Sequence, residues 1–457
     1  MTQQLKLDQR KLSRPPLDRE RMANLWTIII VGGPILLLTF YVMYGIRLKR
    51  DFAVCPPTCV GYDYASLQSQ DIDDYQGLDL SEANLSYTDL SNMNFQRTNF
   101  YFASLQEANL SGADLRNANF VGTYLAQANL QEADLRGANM KGTRMLQVDL
   151  RGADLRGASL AGADLGEARF LGSVIDEDTD LSSKWALVWS IANESAVGRQ
   201  LVRANLGQAY LHEANLREAN LSQASLKRTI LTGADLTDAN LEMADLSQTV
   251  LDEQTLMPAK WRLVWEILNQ HTNGLQLSNQ DFSNARLNHI YLREANVSGT
   301  TFANSSMFEA DLRFATLDNA DLHKANLTEA SLRHASVLGA DLRGANFTGA
   351  DLSLTQLHGA MMDETTQIST KWRTVWQLVN HHEVPKLLPV RNFSWANLSG
   401  ADLSGFDLQG VDFRHAILTD VNFTGADLTN AILVDANVEG ADFTDAQMDG
   451  VRRVKTN

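Results

Sequence analysis

Cysteine is almost missing from this chain: 457 residues contain two, Cys55 and Cys59. With 8 prolines as well, neither a disulfide-stapled scaffold nor a zinc ribbon is possible. Basic charge is also short. Lys and Arg number 39 against 55 Asp and Glu, a formal net charge of −16. That balance excludes non-specific phosphate binding, because there is no basic excess to release counterions, and leaves room for a protein partner with a basic surface. Catalytic signatures are lacking too: no GxSxG, no P-loop, no HExxH and no GxGxxG. The nine histidines are scattered, and the one adjacent pair, His381-His382, points two ways from a helix. The sequence therefore predicts no catalytic, cofactor-binding or metal-binding residues and no small-molecule substrate. A hydrophobic content of 44% with 21% charge is that of a folded chain.

Long hydrophobic runs are absent with one exception. Met22 to Ile46, MANLWTIIIVGGPILLLTFYVMYGI, has no charged side chain over 25 residues, where about 20 cross a bilayer core. Trp26 stands near one end and Tyr41 and Tyr44 near the other, as interfacial rings do. The apolar region exceeds that of a cleaved signal peptide and ends in Arg47, Lys49 and Arg50, so it reads as an uncleaved anchor. Five positive charges precede it (Arg10, Lys11, Arg14, Arg19, Arg21) and three follow, which places the N-terminus in the cytoplasm and the bulk of the chain on the far side. There the CPPTC segment can close a Cys55–Cys59 disulfide; the alternative is two free thiols. CxxxC is neither a redox CxxC nor a haem-attaching CxxCH.

From Leu80 the chain is written in fives. Leu85, Leu90, Phe95, Phe100, Leu105 and so on to Phe170 and Ile175 are all Leu, Phe, Met or Ile, twenty positions without a polar residue. Two places before each stands a small residue, most often Ala, and one place before it Asp or Asn, giving A-[DN]-L-x-x. A helix would smear this period around its surface, and a strand would send alternate leucines to opposite faces. A chain that turns a corner every five residues does neither. Four units make a coil of 20 residues with every large and small residue inward and the other three positions in water. Asp and Asn suit the bends, since they accept local backbone bonds and tolerate unusual φ.

The frame breaks three times, each by a step of 26: Ile175 to Leu201, Leu251 to Leu277 and Met362 to Leu388. Each insert opens on an acidic pair (Asp176-Glu177, Asp252-Glu253, Asp363-Glu364), then reads KWALVWSIAN, KWRLVWEILN or KWRTVWQLVN. Trp185 and Trp189, Trp261 and Trp265, Trp372 and Trp376 are four apart with a Val between, one face of a short helix. Helices are expected near 182–194, 258–270 and 369–381, with the acidic pair favouring their start. Two roles are open to the tryptophans: packing against the column where the frame breaks, or gripping a partner. Packing is preferred, because three exposed apolar faces would promote aggregation. Outward aromatics that the repeat does not require, Tyr101, Phe102, Tyr124, Phe308 and Phe314, are the other interaction candidates.

This pattern resembles the pentapeptide-repeat family over about residues 76–450, and the tryptophan-bearing inserts are similar to those of large cyanobacterial members. The resemblance implies an all-β fold, a right-handed quadrilateral β-helix, here with three short helical inserts and one N-terminal transmembrane helix. The organisation expected is a basic segment 1–23, a transmembrane helix 24–46, a linker 47–75, a solenoid 76–450 with inserts at about 176–200, 252–276 and 363–387, and a tail 451–457. Blocks of 20, 11, 18 and 13 repeats make about fifteen coils, on the order of 70 Å if unbent. A convex column offers its carboxylates no pocket, so no acid–base chemistry is expected. The implied function is a membrane-tethered, non-enzymatic scaffold binding protein partners at a plasma or thylakoid membrane, attached to a photosynthetic or envelope complex. The alternative that the resemblance supplies is an acidic mimic of duplex DNA acting on gyrase; the anchor and the arginines on the same faces (Arg116, Arg136, Arg151, Arg156) count against it.

Overall fold

The computed structural model of the chain describes residues 75–269 and 274–453. Parallel bridges join residues 20 apart, Asp79 to Asn99, Asn84 to Ser104 and onward to Ile432 with Arg452, and 21 apart at the entry to each insert, as Ser159 with Asp180. Bridges that recur every five residues and pair every twenty describe coils of four short faces, each stacked on the last.

Every unit closes in the same way. The small residue's N–H donates to the carbonyl of the preceding large residue, as Ala83 does to Leu80 at 3.2 Å and Ala103 to Phe100 at 2.9 Å. Each of these β-turns has a left-handed third residue: φ is 58° at Glu82, 53° at Phe102 and 60° at His334. That conformation costs a non-glycine residue roughly 1–2 kcal/mol, offset because it aims an N–H at the next coil. Glu82 donates to the Tyr101 carbonyl at 2.8 Å, and the large residue Leu80 to that of Asn99 at 2.8 Å. Asp and Asn supply the local bonds expected of them; the Asn109 side chain accepts the Ser111 N–H at 3.2 Å. The expectation that they also carry the unusual φ is corrected. The left-handed residue lies three places later and is Gly, Glu, Gln or Asn in most units.

Inside the column the large residues stack by type. Phe100 lies on Phe120 at 4.9 Å and 10°, and Phe423 on Phe443 at 5.0 Å and 11°. Most small positions are buried, and Thr can replace Ala because its hydroxyl finds a carbonyl: Thr123 Oγ1 donates to Phe100 at 2.7 Å and Thr300 to Leu277 at 2.7 Å. Outside, side chains form ladders with the same step of 20, Asn119 to Asn99 at 2.8 Å and Asn129 to Asn109 at 2.9 Å.

Three helices interrupt the coils: α1, Ser183–Asn193; α2, Ala259–Asn269; and α3, Thr370–Val379. Among the described residues no helix is long and apolar enough to cross a membrane. The segment expected to do so, 24–46, lies outside the described residues, as do Cys55 and Cys59. Stacking resumes after each insert. Glu167 donates to the Gln208 carbonyl at 2.7 Å, Met243 to Asn284 at 2.8 Å and Leu354 to Trp395 at 2.7 Å. The spacing is now 41, one coil plus the 21 residues that each insert adds to the five-residue frame.

Candidate functional site

A flat-sided column has few places where chemistry can differ from its surroundings, and the three inserts are the principal ones. Each begins with a loop anchored by its first acidic residue. Asp176, Asp252 and Asp363 accept the N–H of Gly157, Gly233 and Gly344 in the coil beneath at 2.9, 2.8 and 3.2 Å. Thr179, Thr255 and Thr366 donate hydroxyls to the same carboxylates at 2.9, 2.8 and 3.1 Å. The Gly157 and Gly233 N–H groups hold the first two acids below the usual carboxylate range; the Thr365 hydroxyl leads in pushing Asp363 down to about 2. The expected help to the helix start is therefore corrected. Each helix begins seven residues after this acid, and no first turn contains an acidic residue. Local backbone donors captured the carboxylate first.

The helices replace the strands that are missing above the interrupted coil. In a regular coil the small residue's carbonyl accepts an N–H from above, as Ala153 does from Val174 at 2.9 Å. At the breaks that donor is an indole: Trp189, Trp265 and Trp376 donate to the carbonyls of Ser173, Thr249 and Ala360 at 3.1, 2.7 and 2.6 Å. The asparagine that ends each motif supplies a further pair. Asn193, Asn269 and Asn380 accept the N–H of Gly172, Gln248 and Gly359 at 2.6, 2.5 and 2.6 Å. Their Nδ2 groups donate to Phe170, Leu246 and Leu357 at 3.1, 3.1 and 3.0 Å. A side-chain amide here presents the donor and acceptor of an absent peptide bond, so the uppermost N–H and C=O groups of the interrupted coil keep partners. Sequence reasoning assigned this asparagine no role; its recurrence in all three inserts was the signal.

Trp185, Trp261 and Trp372 are 7%, 7% and 8% exposed, and Val188, Val264 and Val375 are buried beside them. Trp376 is buried, while Trp189 and Trp265 are partly so. The lysine before each first tryptophan lies over its ring, at 4.1 Å for Lys184, 5.0 Å for Lys260 and 4.4 Å for Lys371. Lys260 Nζ continues to Asp281 at 3.0 Å and Lys371 Nζ to the Ser394 carbonyl at 2.6 Å, both in the coil above. Burial lowers the pKa of Lys184 and Lys371. Each insert is thus fastened below by Asp, Trp and Asn and, at α2 and α3, above by Lys. Eleven and eighteen repeats separate successive inserts, neither a multiple of four, so the three helices face different sides. They do not add up to one docking surface.

The expectation of a column without pockets is also corrected, because clefts open beside the inserts. One of about 730 Å³ lies between Glu167 and Arg169 below the first break and Tyr210 and Ile230 above it. Another of about 340 Å³ runs between Lys227 and Tyr291 beside α2, and a third of about 370 Å³ beneath His381 and His382. No group of His, Cys, Asp and Glu among the described residues is placed to hold a metal. Two rows of the first block pair their charges internally. Arg116 grips Asp114 through Nε and an Nη at 2.8 and 2.6 Å; Arg136–Asp134, Arg151–Asp149 and Arg156–Asp154 repeat the geometry. Rungs also touch between coils, Arg116 to Asp134 at 3.5 Å and Arg136 to Asp154 at 3.6 Å. Of the surface aromatics, Tyr101, Phe102, Tyr124 and Phe314 are exposed; Phe314 stacks on His334 at 4.8 Å, and Phe308 meets the His289 ring at 5.7 Å.

This geometry defines a quadrilateral β-solenoid. The pattern described as "Pentapeptide repeats (8 copies)" matches residues 79–172, 200–252, 273–362 and 392–452. The chain belongs to the pentapeptide-repeat family, whose members form right-handed quadrilateral β-helices and are generally structural or interaction proteins. Among solved structures it is similar to HetL, a pentapeptide repeat protein involved in heterocyst differentiation regulation in the cyanobacterium Nostoc sp. strain PCC 7120. The two are 23% identical over 66% of this chain and 96% of that one, with a TM-score of 0.21. A pentapeptide repeat protein of the Arabidopsis thaliana thylakoid lumen is 24% identical over 29% of this chain and 85% of its own, TM-score 0.23. QnrB1, a plasmid-mediated fluoroquinolone resistance protein, is 14% identical over 64% and 94%, TM-score 0.13. Among curated proteins no match is found.

Proposed function

We propose that this chain is a non-enzymatic scaffold, tethered to a plasma or thylakoid membrane by residues 24–46, that holds protein partners of a photosynthetic or envelope complex on the non-cytoplasmic side. The observation that carries the reading is the sealing of every break. Three inserts interrupt the frame, and each closes over the interrupted coil with its own indole, amide and carboxylate bonds. The result is a long ordered surface behind a single uncharged segment. Downward-shifted carboxylates such as Asp114 and Asp154 are poor proton acceptors, so the surface suits binding more than acid–base chemistry. Duplex mimicry is the weaker reading. A mimic needs rows of unpaired negative charge, and the Asp114–Arg116–Asp134–Arg136–Asp154–Arg156 ladder neutralises three successive rungs of one face in the first block.

The test is membrane extraction of the whole chain followed by affinity purification in detergent. Retention through carbonate and high salt, with membrane-complex subunits recovered, is expected. Release by salt alone refutes the anchor, and recovery of gyrase subunits refutes the scaffold. Labelling Cys55 and Cys59 with an impermeant thiol reagent, before and after reduction, reads sidedness and disulfide together.

A further inference from the structure

The first block of coils is not the same on all sides. One face carries the Asp–Arg ladder, in the rows of Asp114 and Arg116. The face opposite belongs to Leu105, Leu125 and Met145, ten residues and therefore two corners away. On that face, and along the corner that leads into it, the outward residues between Asn99 and Arg144 include no Asp or Glu. They include instead Tyr101, Phe102 and Tyr124, exposed by 42%, 51% and 40%; Glu107 lies on the corner beyond, and Asp164 on the rung above Arg144. Two cations, Lys141 and Arg144, complete the patch and are exposed as well.

The patch is contiguous and built. Tyr101 and Phe102 meet edge to face at 4.5 Å. Phe102 lies over Gly122 in the next coil, where a Cβ would come within 2.9 Å of the ring; with φ at +69°, this corner favours glycine twice over. Arg144 stands 4.5 Å above the Tyr124 ring and donates to its hydroxyl at 2.6 Å. Tyrosine and phenylalanine beside Lys and Arg form the composition that settles at the boundary between headgroups and acyl chains, where rings find both media and cations meet anionic lipid. On a chain of net charge −16, an aromatic and basic strip whose nearest carboxylates, Glu107 and Asp164, stand at its edges is the side that an anionic bilayer repels least.

We infer that this strip, Tyr101, Phe102, Tyr124, Lys141 and Arg144, lies against the surface of an anionic bilayer, so that the column's N-terminal end lies along the membrane. The inference rests on the tether reading, since that membrane is the one in which residues 24–46 are anchored. The test reconstitutes the whole chain into nanodiscs of phosphatidylcholine, with and without phosphatidylglycerol, and maps side-chain oxidation by hydroxyl-radical footprinting. Oxidation of Tyr101, Phe102 and Tyr124 should fall severalfold when phosphatidylglycerol is present, while Tyr87 on the next corner and the distant Phe314 are unchanged. Lys141→Glu with Arg144→Glu, two surface changes that touch no core residue, should abolish the protection while the chain stays in the disc. Equal oxidation in both discs with the chain incorporated overturns the inference and leaves the tether standing. Protection that appears only after membrane proteins are added also overturns it, in favour of a protein on this strip. Failure of the chain to enter discs at all overturns both.

Discussion

Replacing Asn380 with Ala isolates the bond by which an insert imitates a strand. The side chain accepts the Gly359 N–H at 2.6 Å and donates to the Leu357 and Trp376 carbonyls at 3.0 and 2.8 Å. Three net hydrogen bonds of about 1 kcal/mol each set an upper value of about 3 kcal/mol. Gly359 is exposed, so water can replace part of what its N–H loses, and about 1–2 kcal/mol of local stability is expected to disappear. Coils contact only their neighbours, so the loss belongs to this junction and is diluted in a whole-chain melt. Amide hydrogen exchange reads it directly. Exchange at Gly359 should accelerate roughly five- to thirtyfold, since about 1.4 kcal/mol is a factor of ten, while Leu155 in the first block keeps its protection. Asn380→Asp keeps the acceptor and loses both donors, so Gly359 should stay protected in that variant. Unchanged exchange at Gly359 in Asn380→Ala would show that the amide does not replace a strand partner, and the sealing account would fail with it.

Leu155→Ala, at a position without solvent exposure, should cost about 2–5 kcal/mol in local stability; protection of the surrounding amides at the native level would contradict the inward assignment. Trp185→Ala, Trp261→Ala and Trp372→Ala should each cost about 3–5 kcal/mol locally, and undiminished junction stability with lost partner recovery would identify them as binding anchors instead. The Arg116 guanidinium holds Asp114 down from 3.8 to about 2, so its stabilisation is complete above pH 4 and is lost as pH falls through 2. Acid melts of the wild type should show that loss and those of Asp114→Asn a shallower one; parallel slopes would remove the ion pair from the account.

The column was legible in the sequence because a period of five has one simple geometric solution, and each inward residue repeats its neighbour's environment. Helix positions were legible as well, since Trp-x-x-Val-Trp spacing marks a single face. What the sequence did not disclose was partnership across coils. Asn193, Asn269 and Asn380 find backbone groups 21 and 23 residues earlier, a distance set by how the insert folds back and not by the repeat. The acidic pairs misled for the same reason. Near a helix they suggest its dipole, but a free N–H on the coil beneath, as at Gly157, lies closer. The left-handed residue was hidden by its variety: Glu, Gln, Asn, Phe and His all occupy a position where glycine would announce a turn.

If each insert is a sealed break, the column does not need it, and the first insert offers a clean excision. Leu206 already follows Leu165 in the stack, because Glu167 donates directly to the Gln208 carbonyl at 2.7 Å across the junction. Removing residues 176–196 joins Ile175 to Val197 and puts Leu201 five places after Ile175, which restores the step of 20. Gly198 then falls on the left-handed position, where its φ is already 65°. One residue would lose its partners: Arg199 already holds the small position before Leu201, its guanidinium reaching Ser190 and Glu194 of the insert, and with both removed the excision must be combined with Arg199→Ala. The combined variant should fold as an uninterrupted block, with its junction amides at least as protected from exchange as those of Leu130 and Leu150. Its ability to recover partners then separates the two roles, since loss of binding from a correctly folded column would assign the insert to recognition. A variant that fails to fold would show that the 21 added residues hold the blocks in a relation that direct stacking cannot reproduce, and the view of the insert as a dispensable seal would have to be abandoned.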